Sequence, residues 1–148
     1  MQFVPDDFAP PTRLLSERFV LKPLGPEHNE GDHKAWSSSI EHIRATPGYE
    51  GRSWPREMTL EENRCDLERH ADDFAGRTGF TYTVLDPTSS EVIGCVYIYP
   101  DEEGGCDAAV HSWVRASCAE LDIALRETVS RWLLEAWPFE RVAYAAAG

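Results

Sequence analysis

Asp107-Ala108-Ala109-Val110-His111-Ser112-Trp113-Val114 is a short alternating segment that runs through Arg115-Ala116-Ser117 into a long stretch of helical periodicity ending at Pro138. In that stretch Leu121, Leu125, Val129, Trp132, Leu133 and Ala136 recur at spacings of three and four. This stacks them on one face and leaves Arg126, Glu127, Ser130 and Arg131 outward. Ser117 with Glu120 three positions on has the pattern of a capping box, and Pro138 stops the helix, so the spacing predicts a helix over 118–137. Arg141-Val142-Ala143-Tyr144-Ala145 then reads as a last strand. The long helix is its crossover connection, which implies that this strand runs parallel to 107–114.

Working outward, Phe80-Thr81-Tyr82-Thr83-Val84-Leu85 and Val92-Ile93-Gly94-Cys95-Val96-Tyr97-Ile98-Tyr99 are β-rich runs joined by the polar turn 86–91, a hairpin. Thr59 with Glu62 forms a second capping box. It opens a helix on which Leu60, Leu67, Ala71 and Phe74 face inward, as far as Gly76 or Gly79. Trp36, Ile40 and Ile43 mark one face of a shorter helix over 32–44, ended before Pro47-Gly48. Arg18-Phe19-Val20-Leu21-Lys22-Pro23-Leu24 reads as the first strand, with a proline that suits an edge. Residues 1–16 are Pro-rich and acidic, a mobile arm or an extended segment lying on a neighbouring surface, and 17–148 form one domain. The order is β-α-α-β-β-β-α-β: an α/β or α+β chain, with a mixed, mostly antiparallel sheet and helices on both faces.

A chain of 148 residues buries most of its apolar surface around one core without disulfide or metal staples. The net charge of -12 repels phosphate backbones and anionic membrane surfaces, which argues against a nucleic-acid or membrane partner. No run approaches the roughly 18 apolar residues of a membrane span. The first residues, Met1-Gln2-Phe3-Val4-Pro5-Asp6-Asp7, lack the basic and apolar regions of a secretory signal, so a cytoplasmic protein with reduced cysteines is expected.

The element order, with Leu15-Ser16-Glu17-Arg18-Phe19-Val20-Leu21-Lys22-Pro23-Leu24 and Val92-Ile93-Gly94-Cys95-Val96, resembles the GCN5-related N-acetyltransferases over roughly residues 15–146. The resemblance implies acyl transfer from acetyl-CoA to a small amine by direct attack, with no covalent intermediate. In that family the strand matching 107–114 offers backbone groups to the pantetheine arm. An R/Q-x-x-G-x-G/A loop then wraps the pyrophosphate at the helix start, and Ala119-Glu120-Leu121-Asp122-Ile123-Ala124 occupies its place here. Only Ala124 fits the pattern: Ala119 replaces the cation and Asp122 the first glycine, so this is a degenerate loop with carboxylates where phosphates would sit. The family also continues with a further helix and two strands, and that helix often supplies a tyrosine acid, whereas this chain ends at Gly148.

By this resemblance Ser112, Trp113, Val114, Arg115, Ser117, Cys118, Ala119, Glu120 and Ala124 would hold the cofactor. His111 would be the base that takes the amine proton, since imidazole titrates near neutrality. The bland alternative is a histidine hydrogen-bonded beneath a helix. Tyr144 is the candidate acid, or a packing residue at the sheet rim. Tyr49, Arg52 and Trp54 would shape the acceptor pocket, or belong to a solvated loop with one anchored tryptophan. No metal is expected: His28, Glu30, Asp32 and His33 lack the spacing of a helical His pair, and Asp101-Glu102-Glu103 lacks the alternation of a calcium loop. A last strand needs its edge covered, which points to a homodimer. The competing expectation is a catalytically silent domain of the same fold that binds a small ligand or dimerises.

Overall fold

The computed structural model describes residues 2–145. Its six strands are β1 (Leu14–Leu15), β2 (Val20–Pro23), β3 (Phe80–Leu85), β4 (Val92–Tyr99), β5 (Ala108–Val114) and β6 (Val142–Tyr144). They form one sheet in the order β1-β2-β3-β4-β5-β6, antiparallel throughout except for the parallel pair β5 and β6. The helices are α1 (Asn29–Ser37), α2 (Ile40–Arg44), α3 (Leu60–Ala75) and α4 (Asp122–Ala136). The crossover through α4 delivers β6 parallel to β5, as the sequence spacing requires.

Strand parity divides the core in two. Phe80, Tyr82, Val84, Val96, Ile98, Val110 and Val114 pack with Leu125, Val129 and Leu133 of α4. Leu85, Cys95 and Trp113 pack on the other face, with Trp36 of α1, Ile43 of α2, Leu67 of α3 and Tyr49. Each such large side chain taken out of water contributes roughly 1.5–3 kcal/mol, so the two layers hold the sheet between them.

The structure differs from the sequence reading at three places. The segment 1–16, read as a mobile arm or an extended segment on a neighbouring surface, lies packed on the sheet over its described residues and carries a strand the sequence reading lacked, β1, which pairs Leu14 with Leu21. Its Phe3 stacks on Phe80 and Phe139, and Tyr82 donates to the Pro11 carbonyl at 2.6 Å. Apolar side chains at 3, 4 and 8 gain more by burial than the prolines between them cost in order.

The helix predicted over 32–44 is two helices, broken at Ser38-Ser39. There the Ser39 hydroxyl accepts from the Ala116 N–H at 2.8 Å, a contact 77 residues away that no local pattern announces. The start of α4 is the third difference. Residues Ala116–Leu121 form a 3-10 run with Cys118 outside helical geometry, and Arg115 stands at its cap position. The Ser117–Glu120 capping box is not formed, and the regular helix begins at Asp122. The Thr59–Glu62 box is formed as read, with both reciprocal hydrogen bonds at 3.0 and 2.9 Å. Among the described residues no helix is long and apolar enough to cross a membrane.

Candidate functional site

β5 pairs with β6 only from Ala108↔Val142 to Val110↔Tyr144, followed by one bond from the Ala145 N–H to the Val110 carbonyl. On its other side β5 stays paired with β4 as far as Gly94↔Val114. Among the described residues the β5 backbone from His111 to Val114 has no partner strand on its β6 side. A strand edge without a partner presents unused N–H and C=O groups, which suits an extended polar ligand.

His111 is the first residue past the last pair, on the face away from α4. It lines a cavity of about 730 Å³ under α1, α3 and the 46–57 loop. Its Nδ1 is 2.8 Å from the Tyr49 hydroxyl, its ring stacks on Tyr97 at 4.6 Å between centroids, and Tyr49 meets it edge-on at 5.0 Å. Burial, with Arg52 and His70 nearby, pushes its pKa down to about 3, so the ring is neutral at ordinary pH. Gly48 lets the loop approach this closely. With φ of +100°, a Cβ there would come within 3.0 Å of the His111 Cβ and 2.9 Å of the Ala145 Cβ.

Tyr49, Arg52 and Trp54 line this cavity together with His111. Tyr144 is not brought to it. Val142 and Tyr144 join the α4-side core, where the Tyr144 hydroxyl is 2.6 Å from Ser112 Oγ and its ring lies under the Arg126 guanidinium.

Two other groups stand at this cavity: His70, which the sequence reading did not name, and Asp32, which it weighed only as a metal ligand. His70 of α3 bonds through Nδ1 to Thr81 and Tyr99, and Tyr99 donates to Asp73. Asp32 of α1 accepts from Asn63 Nδ2 at 3.1 Å, while its Oδ1 is shut from solvent and has no partner among the described residues. Burial pushes the Asp32 carboxyl up to about 6. The overlooked signal was a titratable residue on an apolar stripe: His70 sits between Leu67 and Phe74 at helical spacing.

The remaining expected contacts cluster at the start of α4. Ser117, Ala119 and Glu120 are exposed, and Cys118 and Ala124 partly so. The Arg115 guanidinium turns back to the Val92 carbonyl at 3.3 Å rather than toward the helix start. The 3-10 run consumes donors that an unbroken helix start would leave open, since the Asp122 N–H bonds the Ala119 carbonyl. Asp122 Oδ1 is itself solvent-excluded, with no partner among the described residues.

Sequence comparison finds no matching family profile and no matching curated protein. Solved structures do match. A ribosomal-protein-S5-alanine acetyltransferase from Vibrio fischeri superposes with a TM-score of 0.64 at 14% identity, over 85% of this chain and 69% of that one. The microcin C7 self-immunity acetyltransferase, solved with acetyl-CoA and AMP, gives 0.62 at 10% identity, over 82% and 67%. An acetyltransferase from Salmonella typhimurium that modifies the N-terminal serine of ribosomal protein L7/L12 gives 0.58 at 11%, over 82% and 68%.

The chain has the GCN5-related N-acetyltransferase fold. In the GCN5-related frame β5 and the start of α4 are the elements the sequence resemblance had assigned to the acyl donor. The strand edge fits an extended pantetheine arm. The start of α4 fits a diphosphate poorly, because Glu120 and Asp122 stand there and Arg115 is directed elsewhere.

Proposed function

We propose that the protein transfers an acyl group from an acyl-CoA thioester, acetyl-CoA in the simplest case, to a small amine by direct attack. The donor's thioester would sit against the β5 edge just beyond its pairing with β6, and the amine would enter the cavity lined by Tyr49, Arg52, Trp54 and His111. The observation that carries this reading is the coincidence of two features: among the described residues the ladder between β5 and β6 ends at Val110↔Tyr144, and the next residue, His111, lines the cavity. An acyl carbon held at that edge would be open to a nucleophile from the cavity side. Backbone from Ser112 to Arg115 would hold the pantetheine arm, with Ser117, Cys118, Ala119, Glu120 and Ala124 flanking its distal end. The fold of the solved acetyltransferases supports acyl transfer, and the half-open cavity, which mixes the aromatic side chains of Tyr49, Trp54, Tyr97 and Tyr99 with charged ones, supports a small polar acceptor.

A silent domain of the same fold is the second reading, favoured by the unpaired Asp122 carboxylate and the diverted Arg115 at the helix start. Calorimetry with acetyl-CoA at moderate ionic strength separates the two. Micromolar binding followed by acceptor-dependent thiol release supports transfer, and no binding at millimolar acetyl-CoA supports the silent domain.

A further inference from the structure

The amine must lose a proton during transfer, and the cavity holds two imidazoles, both packed on the Tyr97 ring: His111 at 4.6 Å and His70 at 5.6 Å between centroids. Which nitrogen of each carries the hydrogen follows from counting hydroxyl hydrogens. Tyr99 has one, and it is donated to Asp73 Oδ2 at 2.9 Å, since a carboxylate oxygen only accepts. The Tyr99 oxygen therefore meets His70 Nδ1, 3.0 Å away, as an acceptor. Only a protonated Nδ1 avoids setting two lone pairs against each other. Thr81 Oγ1, 2.9 Å from the same nitrogen, is a second acceptor, and its own hydrogen can turn to the Tyr99 oxygen at 3.4 Å. Burial holds the His70 pKa below its ordinary value, so the ring is neutral and Nε2 keeps its lone pair. No described residue bonds that nitrogen, and it is not among the solvent-excluded atoms.

His111 has the opposite arrangement. Tyr49 is 2% exposed, and among the described residues its hydroxyl has one hydrogen-bond partner, His111 Nδ1. The hydroxyl hydrogen has that lone pair as its acceptor, so the neutral His111 ring carries its own hydrogen on Nε2. The imidazole that the sequence nominated as the base is thereby set as a donor.

We propose that His70, through Nε2, is the proton acceptor of the reaction, while His111 Nε2–H donates a hydrogen bond to the acyl oxygen. The assignment rests on the acyl-transfer reading. The amine nitrogen forms a bond to the thioester carbon, and the carbon–sulfur bond breaks with its electron pair on sulfur. The proton shed by the nitrogen passes to His70 Nε2, directly or through one cavity water. The thiolate takes a proton from water, and the His70 imidazolium returns one to it, so the ring is neutral for the next turnover.

Long-range nitrogen–proton NMR spectra of the whole, uniformly labelled protein at neutral pH test the proton positions, with His70→Asn and His111→Gln assigning the signals. The expected result is a hydrogen on Nδ1 of His70 and on Nε2 of His111; the reverse tautomer at either ring overturns the assignment. Turnover is the second measurement. Asparagine keeps a donor near the Nδ1 position but removes the distal lone pair, so His70→Asn is expected to lower kcat about 100-fold with acetyl-CoA affinity unchanged. An unchanged kcat overturns the role of His70. A wild-type protein that binds no acetyl-CoA overturns the transfer reading instead, and the tautomer spectrum then still decides the proton arrangement by itself.

Discussion

The hydroxyls of Ser112 and Tyr144 stand 2.6 Å apart, bridging β5 and β6 where their ladder ends. Burial holds the Tyr144 phenol well above its ordinary pKa, and parity places it on the α4 face. Tyr144→Phe leaves the buried Ser112 hydroxyl without its partner, at a cost of about 1 kcal/mol in urea unfolding. It is expected to leave kcat little changed. A tenfold loss of kcat with an unaltered fold would restore the phenol as the acid.

Asp122 offers the plainest test of the helix start. Asp122→Asn removes the carboxylate charge without changing side-chain volume, and it is expected to tighten acetyl-CoA binding several-fold by calorimetry. Asp122 is only partly exposed, so salt screens part of its repulsion of a solvent-facing diphosphate and the gain should shrink in part between 50 and 500 mM NaCl, conditions that bracket a Debye length of about 10 Å. A gain independent of salt would trace the effect to shape instead.

The Asp32 carboxyl sets a pH dependence whose sign is fixed by its direction. Its folded-state pKa is raised from 3.8 to about 6, so the folded protein retains a proton that the unfolded chain sheds between these values. Stability from this group is greatest below the lower value, falls as pH rises through the window, and stays low above about 6. Asp32→Asn keeps an acceptor for Asn63 and cannot ionise. At pH 8 it is expected to be more stable than the wild type by about 1–3 kcal/mol, with the difference vanishing near pH 4. Equal destabilisation at both pH values would contradict this account.

At Gly48 any side chain is strained by the φ of +100° and meets Cβ atoms of His111 and Ala145. Gly48→Ala is expected to cost about 1–3 kcal/mol in thermal or urea unfolding. It should also loosen the Tyr49–His111 hydrogen bond, visible as a shifted His111 imidazole resonance. A variant as stable as the wild type, with that resonance unmoved, would mean the loop is less constrained than its geometry shows.

Local and repetitive features were legible in the sequence. The hairpin of β3 and β4 and the Thr59–Glu62 capping box depend on spacings within one or two elements and are found where they were read, and α4 makes the expected crossover although it begins at Asp122. Features set by distant partners were not legible. The break between α1 and α2 is tied by the Ser39–Ala116 contact, β1 exists because β2 offers an edge, and Ser117–Glu120 loses its cap to a 3-10 turn. The candidate site divides the same way. Tyr49, Arg52, Trp54 and His111 were named from their positions, whereas His70 and Asp32 required the pairings of α3 with β4 and of Asp32 with Asn63.

The packing of Phe3 on Phe139 joins residues 136 positions apart (139 − 3). A ribosome delivers the first ring long before the second, so throughout synthesis Phe3 and its neighbours have no finished wall to rest against. That face of the core closes only as a late, non-local event, of the kind that slows folding and leaves apolar surface open meanwhile. Between its own synthesis and that of Phe139 the aromatic segment around Phe3 therefore stays unhoused, and a chaperone that captures emerging aromatic segments would find its target here.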